Sequence, residues 1–400
     1  MEIKNNMPDG YLSDKDARKE RVVVALSGGI DSFVAAYLLK IQKYDLVAVT
    51  VGINWESFSG DQSSYLSCHL NQQNLNSIKD FCQQLNIPHF FIKSTSEFQE
   101  SVVEEWLASK LSARTSNACW NCHDLRMKIL FQKMKQLGIN SLATGHFAKI
   151  FYQESQDSIF VHTSNDEQFD QSALLSRLPK EILKSLHLPL SDLQKKEVLK
   201  LAENFGLNGQ DKKIRMHECF STSTETTNYL IEKIPPKLIK NGEIMNSDGT
   251  ISYGNHNGII NYLYAGPIEK KDHKKDEIYV VKYIGNEKKI IAEKENFFLR
   301  NEALLVDCFI SEDTYLSEPI KAYAKINDNF VDCWLHPKSL NAVYVQLEDL
   351  HFIKEGEILS LHRKKGKNSK IYLTGRVVFL PKEIQHEGED NVKVDYSRDF

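Results

Sequence analysis

The segment RVVVALSGGIDS, residues 21–32, decides the fold class of this 400-residue chain. Its opening RVVVAL is a β-branched apolar run, and Phe33–Ile41 then carries apolar residues at helical spacing. A second apolar run, Leu46–Val51, follows within a few residues. A strand, a helix and a second strand at this spacing form a βαβ unit with parallel strands. The segment therefore predicts an α/β fold built on a doubly wound parallel sheet.

The alternation of helices and strands continues beyond this unit. Later apolar runs predict helices near residues 76–86, 97–111 and 125–137, and strands at residues 89–92 and 141–144. The α/β domain is therefore predicted to extend to about Arg215.

The pattern of the sequence changes after residue 215. Turn signals crowd together as far as His273, and short β-rich runs separated by polar turns follow. Those runs include residues 278–283, 289–292, 343–347 and 371–378, a spacing that suits a small antiparallel barrel. The predicted parts are a loose tail (1–20), an α/β domain (21–215), a small central connecting domain (216–273) and a C-terminal antiparallel β-barrel (274–400).

The composition excludes several classes of protein. The chain has 50 Lys+Arg against 54 Asp+Glu, so its formal charge is 50 − 54 = −4, which excludes a uniformly basic nucleic-acid coat. A hydrophobic fraction of 41% with 26% charged residues is typical of a globular protein. No apolar run approaches the roughly 18–20 residues that span a bilayer, and the polar first 20 residues lack the apolar core of a signal peptide. A cytoplasmic protein is therefore expected.

The loop Ser27-Gly28-Gly29-Ile30-Asp31-Ser32 lies between the first strand and the first helix. A helix N-terminus favours anions, glycines let a phosphate approach the backbone, and serines add hydroxyl donors. The alternative is a tight turn in which Ser and Asp cap the helix. The lysine of the G-x-x-x-x-G-K-[ST] pattern is missing, so any phosphate binding here differs from that loop. Asp31 either binds Mg²⁺ or is an acidic residue favoured in a first helical turn.

The chain has seven cysteines, and this odd count in a large protein favours free thiols, metal ligands or catalytic groups over a disulfide scaffold. Cys119 and Cys122 form a C-x-x-C, and Cys219 stands about a hundred residues later. Four interpretations stay open: half of a zinc site, a redox pair, three ligands of an iron–sulfur cluster, or persulfide chemistry. The zinc site lacks a second ligand pair, and the C-x-x-C is not predicted to begin a helix as in thioredoxin-like redox pairs. Buried apolar cysteines are expected at Cys82, Cys308 and Cys333.

A series of motifs gives the sequence a recognisable order. They are the loop at 27–32, Asn54-Trp55, residues 114–122 (RTSNACWNC), residues 143–147 (ATGHF), Asp170-Gln171-Ser172, residues 212–220 and residues 254–258 (GNHNG). This order resembles the bacterial tRNA-specific 2-thiouridylase family, and the loop resembles that of the N-type ATP pyrophosphatases. The resemblance covers roughly residues 21–265, and the barrel agrees in style and position only.

The resemblance implies an enzyme with an ATP pyrophosphatase (PP-loop) domain, a central domain and a β-barrel. Such an enzyme adenylates the C2 oxygen of a tRNA wobble uridine and replaces it by sulfur, which gives 2-thiouridine. The implied cofactors are ATP and Mg²⁺. The implied partners are tRNA or another RNA and a sulfur-relay or cysteine desulfurase donor protein, with no DNA and no membrane.

The resemblance also implies roles for particular residues in nucleotide binding. Gly52 lies near the adenine, and Gly145 with His146 closes the nucleotide site. The implied ATP loop consists of Ala25, Leu26, Ser27, Gly28, Gly29, Ile30, Asp31 and Ser32.

Further residues are implied in sulfur transfer and RNA binding. Cys122 matches a nucleophile and Cys219 a persulfide carrier, and with Cys119 these two could instead hold a 4Fe–4S cluster. The implied contacts to the target base and to tRNA are Asn117, Ala118, Asp170 and Gln171.

Three segments depart from the family pattern. Residues 214–217 (IRMH), residues 265–267 (AGP) and residues 325–328 (KIND) stand where the family has a turn, a Gly-Gln-Arg element and an arginine-rich stretch. Arginine makes bidentate phosphate contacts that Asn or Pro cannot supply. A divergent member or paralogue is therefore predicted. The alternatives are another ATP-pyrophosphatase ligase or amidotransferase, and a non-catalytic RNA-binding paralogue.

Overall fold

The structure is a computed structural model, and it divides into two compact units. Unit 1 comprises residues 1–108, 117–239 and 366–371, and unit 2 comprises residues 109–116, 240–365 and 372–400. The structure describes residues 20–53, 72–153, 155, 157–207, 231–234, 236, 240–262, 267–268, 278–284, 287–311, 318–339 and 341–379. The predicted tail up to residue 19, Asn54-Trp55 and the segment 212–220 with Cys219 lie outside these residues.

Unit 1 is built on the predicted parallel sheet. Its strands lie in the order β3-β2-β1-β4-β7, and all four pairs of neighbouring strands are parallel. The β-branched run at Val22–Val24 is fully buried because helices cover both faces of such a sheet. The strands of this sheet are β1 (Arg21–Ala25), β2 (Asp45–Gly52), β3 (His89–Lys93), β4 (Ser141–Ala143) and β7 (Leu186–His187). Two further strands, β5 (Lys149–Gln153) and β6 (Ser158–His162), form a separate antiparallel pair.

Helices on the two faces of the sheet complete the core of unit 1. Val22 and Val24 pack with Phe33 and Ile78 on one face, whereas Val23 packs with α5 residues on the other. The helices are α1 (Ile30–Ile41), α2 (Gln72–Gln84), α3 (Ser96–Phe98), α4 (Glu104–Leu111), α5 (Ala118–Gln136), α6 (Ser172–Leu175), α7 (Lys180–Ser185) and α8 (Lys195–Asn204), with a π-helical stretch at Gln99–Val103. Among the described residues, no helix is both long and apolar enough to cross a membrane.

Helix α5 begins at Ala118, well before the predicted start at residue 125. The prediction rested on the helical spacing of the buried apolar residues Leu125, Met127, Leu130 and Met134. The polar first turns of the helix, which precede these residues, show no such spacing. The expectation that the C-x-x-C does not begin a helix is therefore wrong: Cys119 and Cys122 lie in the first turns of α5.

Unit 2 contains a five-stranded sheet in the order β10-β11-β12-β8-β9. The runs at residues 278–283 and 289–292 were expected in the barrel, but β11 and β12 belong to this sheet, where β12 pairs in parallel with β8. Alternating strand patterns do not specify a partner strand, so the sequence could not show this. The strands are β8 (Gly242–Met245), β9 (Ser252–His256), β10 (Pro267–Ile268), β11 (Ile278–Ile284) and β12 (Lys289–Lys294).

The GNHNG motif has a structural role in this sheet. His256 is 1% exposed, its Nε2 lies 3.0 Å from the Lys288 carbonyl oxygen, and its Nδ1 accepts the Gly258 N–H at 3.1 Å. Burial lowers the pKa of His256. The neutral ring therefore ties the end of β9 to the turn before β12.

The predicted barrel is present and closed, in the strand order β13-β16-β15-β14-β17-β18. Inward-facing apolar residues fill it, and Leu305, Leu335, Val345 and Leu361 are fully buried. Its strands are β13 (Leu299–Ile310), β14 (Ile320–Ile326), β15 (Asn329–Ser339), β16 (Ala342–Phe352), β17 (Ile358–His362) and β18 (Ile371–Val378). The exact limits of the predicted central and C-terminal domains stay a prediction.

The barrel contains a buried histidine that makes its stability depend on pH. His362 is fully buried, and its Nε2 lies 2.8 Å from Ser360 Oγ. Burial, and to a lesser extent the Lys325 cation, lowers its pKa from 6.5 to about 3. Between these values the unfolded chain binds a proton that the folded barrel does not. The free energy of unfolding should therefore fall as the pH falls from 6.5 to 3, by up to about 1.4 kcal/mol per pH unit.

The variant His362→Asn checks this expectation, since asparagine keeps a hydrogen-bonding group but does not titrate. Urea unfolding curves between pH 7 and pH 4 should show a shallower loss of stability for the variant than for the wild type. Equal slopes for the two proteins would contradict it.

Candidate nucleotide and cysteine site

The loop between β1 and α1 has the shape of an anion site. Gly28 has φ +77°, in the left-handed region that favours glycine. Ser32 is 6% exposed and its hydroxyl donates to the Gly29 carbonyl at 2.7 Å, while the Ser27 N–H donates to Ser32 Oγ at 3.2 Å. These bonds fix the loop at the N-terminus of a 12-residue helix, where the first backbone N–H groups lack intrahelical partners. The residues present therefore fit the phosphates of ATP.

Gly145 lies directly against this loop. An ideal Cβ at position 145 would stand 2.7 Å from the Asp31 carbonyl carbon and 2.9 Å from the Ser32 nitrogen. Real Cβ atoms do not approach backbone so closely, so only glycine fits here without a shift of the loop. The structure thus brings together Gly145 and the loop, two parts of the predicted nucleotide site.

His146 follows on the same segment and is held as a neutral ring. Its Nδ1 lies 2.8 Å from Thr144 Oγ1, and its ring meets the His123 ring edge to face at 5.1 Å. Burial, and then the neighbouring His123, lowers the pKa of His146 to about 3. At neutral pH this side chain can accept or donate a hydrogen bond but carries no charge.

Asp31 has a partner that the sequence did not reveal. Its Oδ1 lies 2.6 Å from the Lys195 ammonium, and Lys195 is 4% exposed. A magnesium ion at this carboxylate would have to share or displace that ammonium, and no group of three metal-ligating side chains occurs among the described residues. The Mg²⁺ role of Asp31 stays a prediction.

Gly52 is the last residue of β2 and lies at the carboxyl edge of the sheet. The loop between β1 and α1 begins at the same edge. Its carbonyl accepts the Ser94 N–H at 3.0 Å. An ideal Cβ at Gly52 would stand 2.3 Å from Cζ of Phe91, so the ring fills the space that a side chain would need. Ligands of open α/β sheets bind at this edge, and the predicted adenine contact of Gly52 stays a prediction.

Arg126 connects helix α5, which carries Cys119 and Cys122, to the carboxyl edge of the sheet. The Arg126 Nε–H donates to Cys122 Sγ at 3.5 Å, and its Nη1 donates to the Val51 carbonyl at 3.1 Å. A guanidinium donor stabilises negative charge on the sulfur it faces. Sequence reasoning missed Arg126, although it stands four residues after Cys122, because the helix was predicted to begin only at residue 125.

A second arginine supports the outer side of the helix start. Arg177 donates to the Asp124 carboxylate at 3.2 and 3.3 Å and lies 5.7 Å from the Trp120 ring centroid. On the other side, the Asn121 amide donates to Glu105 at 3.0 Å. The polar first turns of α5 are therefore held by charged contacts rather than by an apolar stripe.

Two of the three predicted sulfur-chemistry residues are brought together. Cys119 and Cys122 lie one turn apart on α5, and the described cysteines form no disulfide. Two thiols at this spacing fit two ligand positions of an iron–sulfur cluster. Cys219 lies outside the described residues, so its role as persulfide carrier or third ligand stays a prediction.

The four residues predicted to contact the base or the tRNA lie near the ends of α5 and α6. Asn117 and Ala118 are buried at the start of α5. The Asp170 carboxylate accepts the Ser164 N–H and the Ser172 hydroxyl, both at 2.8 Å. The Gln171 side-chain oxygen accepts the Phe147 N–H at 3.1 Å. These acceptors organise the loop before α6, and the tRNA contacts stay predictions.

Replacing Arg126 by methionine tests its link to the nearby sulfur. Alkylation of Cys122 by iodoacetamide should become roughly twofold to threefold slower, because Sγ loses the hydrogen bond that the guanidinium donates. Peptide mass spectrometry after timed labelling gives the rate for this cysteine separately from Cys119. Lys128→Met, at an exposed position of the same helix, is the matched control and should alkylate like the wild type. Equal rates for the Arg126 variant and the wild type would contradict the contact.

The chain is similar in sequence to known proteins. The family model described as tRNA methyl transferase HUP domain matches residues 20–223. The tRNA-specific 2-thiouridylase MnmA of Clostridium acetobutylicum is 28% identical over 315 residues, 78% of this chain and 86% of that protein. The protein of the same name from Clostridium perfringens is 32% identical over 246 residues, 61% of this chain and 67% of that protein.

Solved structures resemble the chain less closely. The U34-tRNA thiolase NcsA from Methanococcus maripaludis, solved with its 4Fe–4S cluster, is 20% identical, with a TM-score of 0.32 over 54% of this chain and 65% of that one. A likeness at this level supports no conclusion about the chemistry of this chain.

Proposed function

We propose that this chain uses ATP to replace the C2 oxygen of a tRNA uridine by sulfur. The chain belongs to the family of tRNA-specific 2-thiouridylases, and the proposal starts from that membership. The proposal assigns the reaction to the carboxyl edge of the parallel sheet in unit 1. The observation that carries it is the pair of Arg126 hydrogen bonds, 3.5 Å to Cys122 Sγ and 3.1 Å to the end of β2. They fix a cysteine to the strand that borders the phosphate loop.

The first step is adenylation of the base. The C2 oxygen attacks the α-phosphorus of ATP, the bond to the bridging oxygen breaks, and pyrophosphate leaves with the electron pair while the N3 proton goes to solvent. Ser27, Ser32 and the N-terminus of α1 bind the phosphates, and hydrogen-bond donors fixed before the reaction stabilise the charge that develops on them. Gly145 packs directly against the backbone of this loop and leaves no room there for a side chain.

The second step brings sulfur to C2 and releases AMP. In the persulfide route the terminal sulfur of a Cys219 persulfide attacks C2. The Cys122 thiolate then attacks Cys219 Sγ, the S–S bond to the transferred sulfur breaks, and a Cys122–Cys219 disulfide remains for an external thiol to reduce. Arg126 donates a hydrogen bond to the sulfur that makes this attack and so positions it.

The cluster route uses the same cysteines as ligands. Cys119, Cys122 and Cys219 would hold a 4Fe–4S cluster, which supplies an open iron for inorganic sulfide. Anaerobic purification with iron and sulfide analysis separates the two routes, since about four irons per chain select the cluster. A colourless, iron-free protein that still thiolates RNA selects the persulfide.

The proposed partners follow from this chemistry. The substrate is tRNA, and the sulfur comes from a relay protein or a cysteine desulfurase. Neither DNA nor a membrane takes part, and the expected location is the cytoplasm.

Exchange of labelled pyrophosphate into ATP tests the adenylation step and the rival functions. Exchange that requires added tRNA supports the thiolase, and exchange that requires a carboxylic acid instead indicates a ligase. An absence of exchange with tRNA, despite ATP binding, would leave a non-catalytic RNA-binding protein and refute the proposal.

A further inference from the structure

Lys195 is a buried cation in contact with the phosphate loop. Its side chain is 5% exposed, and its ammonium lies 2.6 Å from Asp31 Oδ1 and 5.8 Å from the Phe169 ring centroid. Lysine is almost never buried this deeply without a negative partner, and here the partner belongs to the first turn of α1. The Lys195 ammonium therefore lies at the phosphate loop although burial removes most of its hydration.

The contact joins side chains from the first turns of two helices. Lys195 is the first residue of the 10-residue helix α8, whose start is fixed by a capping box between Gln194 and Glu197. The Lys195 backbone N–H donates to Asp166 Oδ2 at 2.9 Å. Each helix N-terminus attracts negative charge, and Asp31 and Asp166 supply that charge in this structure.

The arrangement matches the electrostatic needs of a leaving pyrophosphate. The loop lacks the lysine that phosphate loops of the G-x-x-x-x-G-K-[ST] type carry in their own sequence. Lys195 brings an ammonium to Asp31 of this loop from a distant part of the chain. A lysine ammonium binds phosphate as a point charge and can turn from one anionic partner to another without a demanding geometry.

We propose that Lys195 is the cation that receives the pyrophosphate leaving group, and that Asp31 holds its ammonium in place until the phosphates arrive. The inference rests on the proposed adenylation. As the bond between the α-phosphorus and the bridging oxygen breaks, the electron pair stays on pyrophosphate and the Lys195 ammonium turns from Asp31 to it. No proton or electron is exchanged with the lysine, which stays an ammonium throughout.

Direct titration with inorganic pyrophosphate and with AMP, in EDTA and without RNA, tests this inference on the full chain. Lys195→Gln should weaken pyrophosphate binding by roughly tenfold or more and change AMP binding by less than about threefold. A merely structural role would weaken both ligands together. Lys196→Gln, at the next and exposed position of α8, is the matched control and should bind both like the wild type.

Two variants keep the test decisive if Lys195→Gln folds poorly because the Asp31 carboxylate has lost this cation. The double variant Asp31→Asn/Lys195→Gln removes both charges and should still bind pyrophosphate weakly. Asp31→Asn alone releases the ammonium and should bind metal-free pyrophosphate several-fold more tightly. A double variant with wild-type pyrophosphate affinity, or an Asp31→Asn variant that binds no more tightly than the wild type, would overturn the inference.

The failure of this inference is distinguishable from failure of the proposed function. A wild-type protein that thiolates RNA while all variants bind pyrophosphate equally refutes the role of Lys195 alone. A wild-type protein that binds pyrophosphate through Lys195 but never modifies RNA refutes the thiolation alone.

Discussion

Replacing Cys122 by serine should abolish thiolation of tRNA, by three orders of magnitude or more, while adenylation stays within about threefold of the wild type. A serine hydroxyl can neither resolve a persulfide nor hold iron, whereas the phosphate loop does not contain this side chain. Nucleoside analysis gives the thiolation rate, and release of pyrophosphate in the presence of tRNA gives the adenylation rate.

Cys308→Ser is the matched control for this variant. Cys308 lies on β13 in unit 2, and burial raises the pKa of its thiol to about 12, so it is no nucleophile at neutral pH. This control should thiolate like the wild type. A Cys122 variant that thiolates at the wild-type rate would remove this cysteine from the reaction.

Replacing Gly145 by alanine should weaken nucleotide binding and destabilise the protein. The added methyl group would meet backbone atoms of Asp31 and Ser32 at 2.7–2.9 Å, and backbone cannot turn away as a flexible side chain can. Overpacking of this kind costs about 1–3 kcal/mol of unfolding free energy. The first turn of α1 has to move, so ATP affinity should fall at least about tenfold. Calorimetric titration with ATP and urea unfolding measure the two effects.

Gly138→Ala separates lost binding from lost stability. Gly138 has φ +67° and nothing within 4 Å of an added Cβ, so alanine there strains the backbone by about 1–2 kcal/mol without touching the loop. This control should lose stability but keep its ATP affinity. If Gly145→Ala also kept its ATP affinity, the contact between residue 145 and the loop would have no role in nucleotide binding.

The βαβ unit could be predicted from the sequence because its signals are local. Within Arg21–Ala25 and Asp45–Gly52 the residues are mostly apolar and β-branched, as is typical of strands that are buried on both faces of a parallel sheet. The loop between β1 and α1 carries its glycines and serines in one short stretch, so its place between the strand and the helix could be predicted too.

What could not be predicted depends on contacts between distant segments. Lys195 meets Asp31 across 164 positions of sequence, and no local pattern marks that pair. The start of α5 was missed because charged contacts of Arg177 and Glu105, rather than apolar periodicity, hold its first turns. The barrel was predicted from its repeated short strands, but strand partners come from register and packing, so β11 and β12 were assigned to the wrong sheet.

The most direct test of the proposed function is the appearance of 2-thiouridine in tRNA. Unmodified tRNA is incubated with the full chain, ATP, Mg²⁺ and a sulfide or persulfide donor, then digested and analysed by mass spectrometry. The relative from Clostridium acetobutylicum serves as the positive control. The proposal predicts 2-thiouridine that depends on ATP and disappears in Cys122→Ser. The proposal would be contradicted if the control forms 2-thiouridine but this chain forms none at equal concentration and with ATP bound.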